Sequence, residues 1–154
     1  MLETDPEPTT ESRHIFHGEV VNLRVDTVWL RNGGLSTREI VEHGDAVAVV
    51  PVDSHGNVIL VRQYRKAVEE TLLEVPAGGV DVGETPEAAA RRELLEETGF
   101  TAKVLEPLGG FYTTPGFCTE RMHAFLATEL TLGEAQPEFD ESIEVVPVPV
   151  HDVR

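Results

Sequence analysis

The chain has 154 residues and carries 12 Lys+Arg against 28 Asp+Glu, a formal net charge of −16. That size suits one domain with a sizeable core, and the acid excess excludes DNA, RNA and anionic membrane surfaces as partners, because polyphosphate backbones call for clustered Lys and Arg. If the substrate is an anion, a bound cation has to supply the attraction.

Residues 1–13 are acidic and Pro-containing and bury little, so they read as a disordered tail ahead of a single domain over 14–154. The N-terminus lacks the basic and apolar regions of a secretory signal. No run approaches the ~20 apolar residues that span a bilayer. The single cysteine, Cys118, excludes an internal disulfide and fits a reducing cytoplasm.

Short strands follow the tail. Leu23–Leu30 alternates, Asn32-Gly33-Gly34 supplies the positive φ angles of a hairpin turn, and Ser36–Glu42 returns. His14 and His17 lie in this region without a further His or Cys to complete a zinc site. Ala46–Val52 is a continuous apolar run, as for a strand buried on both faces, and Val58–Tyr64 is a second one after a polar turn. Leu72–Val75, Val104–Tyr112, Met122–Thr128 and Ile143–Val148 are further strands. Pro76-Ala77-Gly78-Gly79 reads as a tight bend. Between these lies one clear helix: Thr85 as N-cap, Pro86 at the first helical position, strong helix formers over Ala88–Glu97, and Gly99 as left-handed C-cap. Many strands around one central helix make an α/β or α+β domain.

The chemistry lies on that helix. Glu93, Glu96 and Glu97 are spaced to project from one face, where like charges destabilise an isolated helix. Hard divalent cations such as Mg²⁺ need several oxygen ligands, and such a cluster provides them. Arg92 stands four residues before Glu96 and can orient a carboxylate, while main-chain carbonyls of the Pro76–Gly79 bend offer further hard ligands.

Gly78, five residues, Glu84, seven residues, then Arg92-Glu93-Leu94-Leu95-Glu96-Glu97-Thr98-Gly99-Phe100 resembles the Nudix box at every fixed position. The resemblance extends over about Ile15 to Val150. It implies an α/β/α sandwich with a mixed sheet, preceded by N-terminal antiparallel strands, and hydrolysis of a nucleoside diphosphate linked to another moiety with Mg²⁺ or Mn²⁺. Carried onto this chain, it makes Glu93, Glu96, Glu97 and the Ala77 carbonyl the metal ligands. Arg92 and Glu84 brace the loop and helix, and Leu94 packs inward.

Outside the box, Pro115 lies 16 residues after Gly99, and Pro115-Gly116 with Glu120 resembles the substrate loop of the ADP-ribose/ADP-sugar pyrophosphatase branch. That likeness implies contact of Glu120 with the terminal ribose. Arg65, at the end of Val61-Arg62-Gln63-Tyr64-Arg65, resembles the branch's substrate-facing arginine; a guanidinium binds phosphate oxygens bidentately. Asp140-Glu141-Ser142-Ile143-Glu144 resembles the loop of the general base, with Glu141 aligning best and Glu138, Asp140 and Glu144 as competitors. The branch implies a homodimer pairing through strands at about 16–42, and a helix after the last strand, which this sequence does not extend to. The rival readings are a Nudix hydrolase for a nucleoside triphosphate or GDP-sugar, and a non-catalytic module that senses ADP-ribose.

Overall fold

The computed structural model describes residues 6–133 and 143–153. The chain divides into two compact units, Met1–Gly44 with Tyr112–Arg121, and Asp45–Phe111 with Met122–Arg154.

The first unit is an antiparallel meander of β1 (Thr9–His17), β2 (Asn22–Trp29) and β3 (Leu35–Glu42). The turn between β2 and β3 falls at Asn32-Gly33-Gly34, as the sequence predicts, closed by Leu30 N–H to Gly34 O at 2.8 Å. The expected disordered tail is corrected from Thr9 onward. Exposed along its whole length, β1 is held by its ladder to β2 and by side chains: Thr10 donates to Thr27 O, and Ser12 to Asp26 at 2.6 Å. Hydrogen bonds to a neighbouring strand supply here what apolar burial does not. Residues 1–5 lie outside the described residues. The Thr113–Thr119 loop is tied to β3 through Val41, whose N–H donates to Phe117 O at 2.7 Å and whose carbonyl accepts from Thr119.

The second unit holds two sheets and the helix. One sheet, antiparallel throughout, has the order β10-β5-β6, from β5 (Asn57–Arg65), β6 (Glu70–Glu74) and β10 (Glu144–Pro149). The other has the order β7-β4-β9-β8, from β4 (Ala46–Pro51), β7 (Ala77–Gly79), β8 (Phe100–Tyr112) and β9 (Arg121–Leu132). It is mixed, since β4 runs parallel to β9 and antiparallel to β7. The α/β class with a mixed sheet therefore stands. Among the described residues the only α-helix is α1 (Pro86–Thr98), and Val150–Asp152 adds one 3-10 turn. No described helix is long and apolar enough to cross a membrane.

The helix starts and stops where its residues dictate. Thr85 Oγ1 accepts from Ala88 N–H at 3.2 Å, and Gly99 takes φ of 73° while its N–H closes on Leu95 O. Its inner face buries Ala89, Ala90 and Leu94 against Val47 and Val49 of β4 and Phe125 and Ala127 of β9. Glu97 is buried on the same helix face, and Glu93 lies one turn from Ala89, so this packing also fixes how the acids are presented.

Candidate active site

The predicted bend at Pro76–Gly79 is in fact strand β7 over Ala77–Gly79, registered as Ala46↔Gly79, Val47↔Gly78 and Ala48↔Ala77. The reason is local pairing: Val49 N–H donates to Pro76 O at 2.8 Å, and Val80 N–H to Asp45 O at 2.9 Å. With those flanking bonds, Ala77 takes the alternate position of the ladder, where N–H and C=O turn away from β4. Its N–H donates to Glu97 Oε2 at 3.1 Å. Glu97 is only 4% exposed, so this charge-assisted bond gives a buried carboxylate a fixed partner on β7.

Gly78 is needed for a different reason. A β-carbon there would overlap Oε1, Cδ and Oε2 of Glu93, so the carboxylate lies directly against bare backbone. The loop and the helix thus meet at two acids, Glu93 on Gly78 and Glu97 on Ala77.

Arg92 gathers the rest. Its Nη1 donates to Glu93 Oε1 at 2.7 Å and Glu96 Oε2 at 3.0 Å. Its Nε and Nη2 grip Glu84 at 3.2 and 3.0 Å, and Nη2 also donates to Gly79 O at 2.9 Å. Asp81 stands 3.9 Å away, and its N–H donates to Glu84. The hydrogen bond from Arg92 holds the Glu84 carboxyl below its ordinary range, against the opposing pull of partial burial. In turn Glu84, then Glu93 and Glu96, push the Arg92 guanidinium further into its charged form.

Among the described residues, no three His, Cys, Asp or Glu side chains converge as a ready-made metal cage. Glu93 and Glu96 are turned to Arg92 instead. The donor set still suits a hard divalent cation: three carboxylates on one helix, and a main-chain carbonyl of Ala77 directed away from its ladder.

The other predicted residues fall in two places. In the second unit, Arg65 closes β5, and its Nε and Nη2 bind Glu74 of β6 at 3.2 and 2.7 Å. In the first unit, Pro115 and Gly116 line a cavity of about 360 Å³ with Arg24, Arg38 and Phe117. Glu120, in the same unit, accepts from Thr113 Oγ1 at 2.7 Å, with His43 Nδ1 at 3.5 Å. Glu138, Asp140 and Glu141 lie outside the described residues. Their competitor Glu144 is exposed and paired with Arg62 at 2.8 Å. Sequence reasoning missed Glu74, Thr113 and His43, whose roles come from cross-strand or loop partners and leave no motif.

Fold and site define an α/β protein that presents clustered carboxylates from one helix beside a strand-forming glycine loop. A family model described as the NUDIX domain matches residues 42–154, and the chain belongs to the Nudix family. It is 49% identical over 148 residues to the ADP-ribose pyrophosphatase of Bacillus subtilis, covering 95% of this chain and 80% of that protein. The ADP-ribose pyrophosphatase of Mycobacterium tuberculosis is 42% identical, over 92% of this chain and 69% of that protein. The methanol dehydrogenase activator of Bacillus methanolicus is 44% identical, over 88% and 73%. In three dimensions, a crystal structure of an ADP compounds hydrolase matches with a TM-score of 0.87 at 23% identity, over 99% of this chain and 83% of that one. That likeness establishes the shared fold.

Proposed function

We propose that the protein hydrolyses the pyrophosphate bond of ADP-ribose or a related ADP-sugar, giving AMP and a sugar phosphate. The observation that carries this is the intact constellation of Glu93, Glu96, Glu97, Arg92 and Gly78, on a chain whose relatives at 42% and 49% identity are named ADP-ribose pyrophosphatases. A sensor module has no use for that set of carboxylates, so hydrolysis is favoured over binding alone.

Glu93, Glu96, Glu97 and the Ala77 carbonyl are the residues that would hold Mg²⁺, with Mn²⁺ as a substitute. When bound, such an ion neutralises pyrophosphate charge and makes a water at the site more acidic. Arg92 keeps Glu93 and Glu96 in place, and Ala77 N–H keeps Glu97 in place. Arg65 contacts the pyrophosphate, and Glu141 takes the proton from the attacking water. Water adds to one phosphorus while the bridging oxygen leaves with the other phosphate. Glu120, with Pro115 and Gly116, recognises the sugar end. A cytoplasmic homodimer pairing through strands at about 16–42 belongs to the same reading.

The test is a product assay with Mg²⁺ across ADP-ribose, ADP-glucose, GDP-mannose, NADH, diadenosine polyphosphates and dNTPs. ADP-ribose or another ADP-sugar is expected to give the highest kcat/KM. Preference for a nucleoside triphosphate or GDP-sugar would move the enzyme to another branch. Binding of ADP-ribose without turnover would make it a sensor.

A further inference from the structure

Arg65 is the residue on which the proposed pyrophosphate contact rests, and its guanidinium is bound by Glu74, a residue that no motif marks. In the β5–β6 ladder the pairs are Arg65↔Glu70, Gln63↔Leu72 and Val61↔Glu74. Side chains alternate along a strand, so Arg65, Gln63 and Glu74 share one face of this hairpin. Glu70 stands directly opposite Arg65, yet the guanidinium extends two same-face positions further along β6, to Glu74. There its Nε lies 3.2 Å from both carboxylate oxygens, and its Nη2 lies 2.7 Å from Oε2. Glu74 is itself tethered: Gln63, only 7% exposed, donates from Nε2 to Oε2 at 3.4 Å.

From this arrangement we infer that Glu74 is a positioning residue, acting through Arg65 to set the plane of the guanidinium that receives the substrate's pyrophosphate. This rests on the proposed role of Arg65. Guanidinium donors form a rigid fork, and Glu74 takes the edge bearing Nε and one hydrogen of Nη2. The end of the fork, Nη1 with Nη2, is then aimed in one direction by a partner on the neighbouring strand. A long, partly exposed side chain loses rotamer freedom when it grips a ligand, and Glu74 imposes most of that loss before substrate arrives. Its charge also lowers the net positive field at Arg65. The gain is therefore in orientation, and it shows in binding of the pyrophosphate.

The experiment is a double-mutant cycle on the intact chain with ADP-ribose and Mg²⁺, using Glu74→Gln, Arg65→Ala and the double variant, with Tm followed throughout. Glu74→Gln is expected to raise KM about tenfold with kcat within about twofold, the pattern of lost binding common to ground and transition states. In the Arg65→Ala background the same change is expected to add nothing, because a residue that acts only through Arg65 has nothing left to act on. Glu74→Asp, which keeps the charge but shortens the reach, is expected to fall between. An unchanged KM in Glu74→Gln, or effects that multiply in the double variant, would overturn the inference while leaving the proposed hydrolysis intact. Wild-type KM in Arg65→Ala would overturn the role of Arg65 itself, and the inference with it. Lack of any ADP-ribose turnover by the native chain is the separate failure of the proposed function.

Discussion

The carboxylate of Glu93 occupies the space that a β-carbon on Gly78 would need. The clash falls on the far end of a flexible side chain rather than on backbone, so a larger residue at 78 displaces Glu93 without rebuilding β7. Gly78→Ala is therefore expected to leave Tm nearly unchanged while lowering kcat/KM about 100-fold, the scale of a reacting group moved by about 1 Å. Thermal melts and steady-state kinetics on one preparation check it. A large fall in Tm with activity retained per folded molecule would mean that Gly78 serves the fold alone.

Arg92 ties Glu84 to the helix, and that tie has a pH signature. The folded Glu84 carboxyl lies below its ordinary value of 4.5 because Arg92 donates to it. Its contribution to stability is therefore complete above about pH 4.5 and is lost as pH falls through the lowered folded value. Arg92→Gln is expected to melt below the native protein at pH 7, and the gap is expected to narrow on acidification below pH 4.5. Activity should fall as well, since Glu93 and Glu96 lose the group that orients them. Melting curves from pH 3 to pH 8 test the sign, and a gap that widens in acid would contradict it.

Leu94 is fully buried on the inner face of α1, in the cluster with Val47, Val49 and Phe125. Leu94→Ala is expected to cost about 2–5 kcal/mol, the transfer term plus the cavity left behind. Thr85→Ala, which removes the N-cap acceptor, is expected to cost about 1 kcal/mol. Urea titrations measure both. Each variant should turn over substrate while folded, because neither side chain carries the chemistry.

Local signals made some of this legible and long-range pairing hid the rest. Thr85, Pro86 and Gly99 act within one or two turns of their own helix, so the bounds of α1 could be read from the sequence. The turn at Asn32-Gly33-Gly34 and the apolar strands β4 and β5 were legible for the same reason. By contrast, β7 forms because Val49 and Val80 bond across to it, and nothing in Ala77-Gly78-Gly79 itself announces a strand. Strand β1 was hidden because its sequence is polar, and Asp26, only 5% exposed, is held by Ser12 and Arg24 from other positions in the sheet. In the site, the spacing of the box brought Arg92, Glu93 and Glu97 to notice. Glu74 escaped because its tie to Arg65 depends on the register of a hairpin.

Glu97 carries the account's central claim, that the box carboxylates perform hydrolysis of an ADP-sugar. In Glu97→Gln the amide oxygen can still accept from Ala77 N–H, so the fold should persist while the negative charge is lost. The direct measurement is AMP release from ADP-ribose with Mg²⁺, by the native chain and by Glu97→Gln at matched folded concentration. AMP and ribose 5-phosphate are expected from the native chain, and no turnover by the variant. AMP release by Glu97→Gln at the native rate, or none from the native chain, would contradict it.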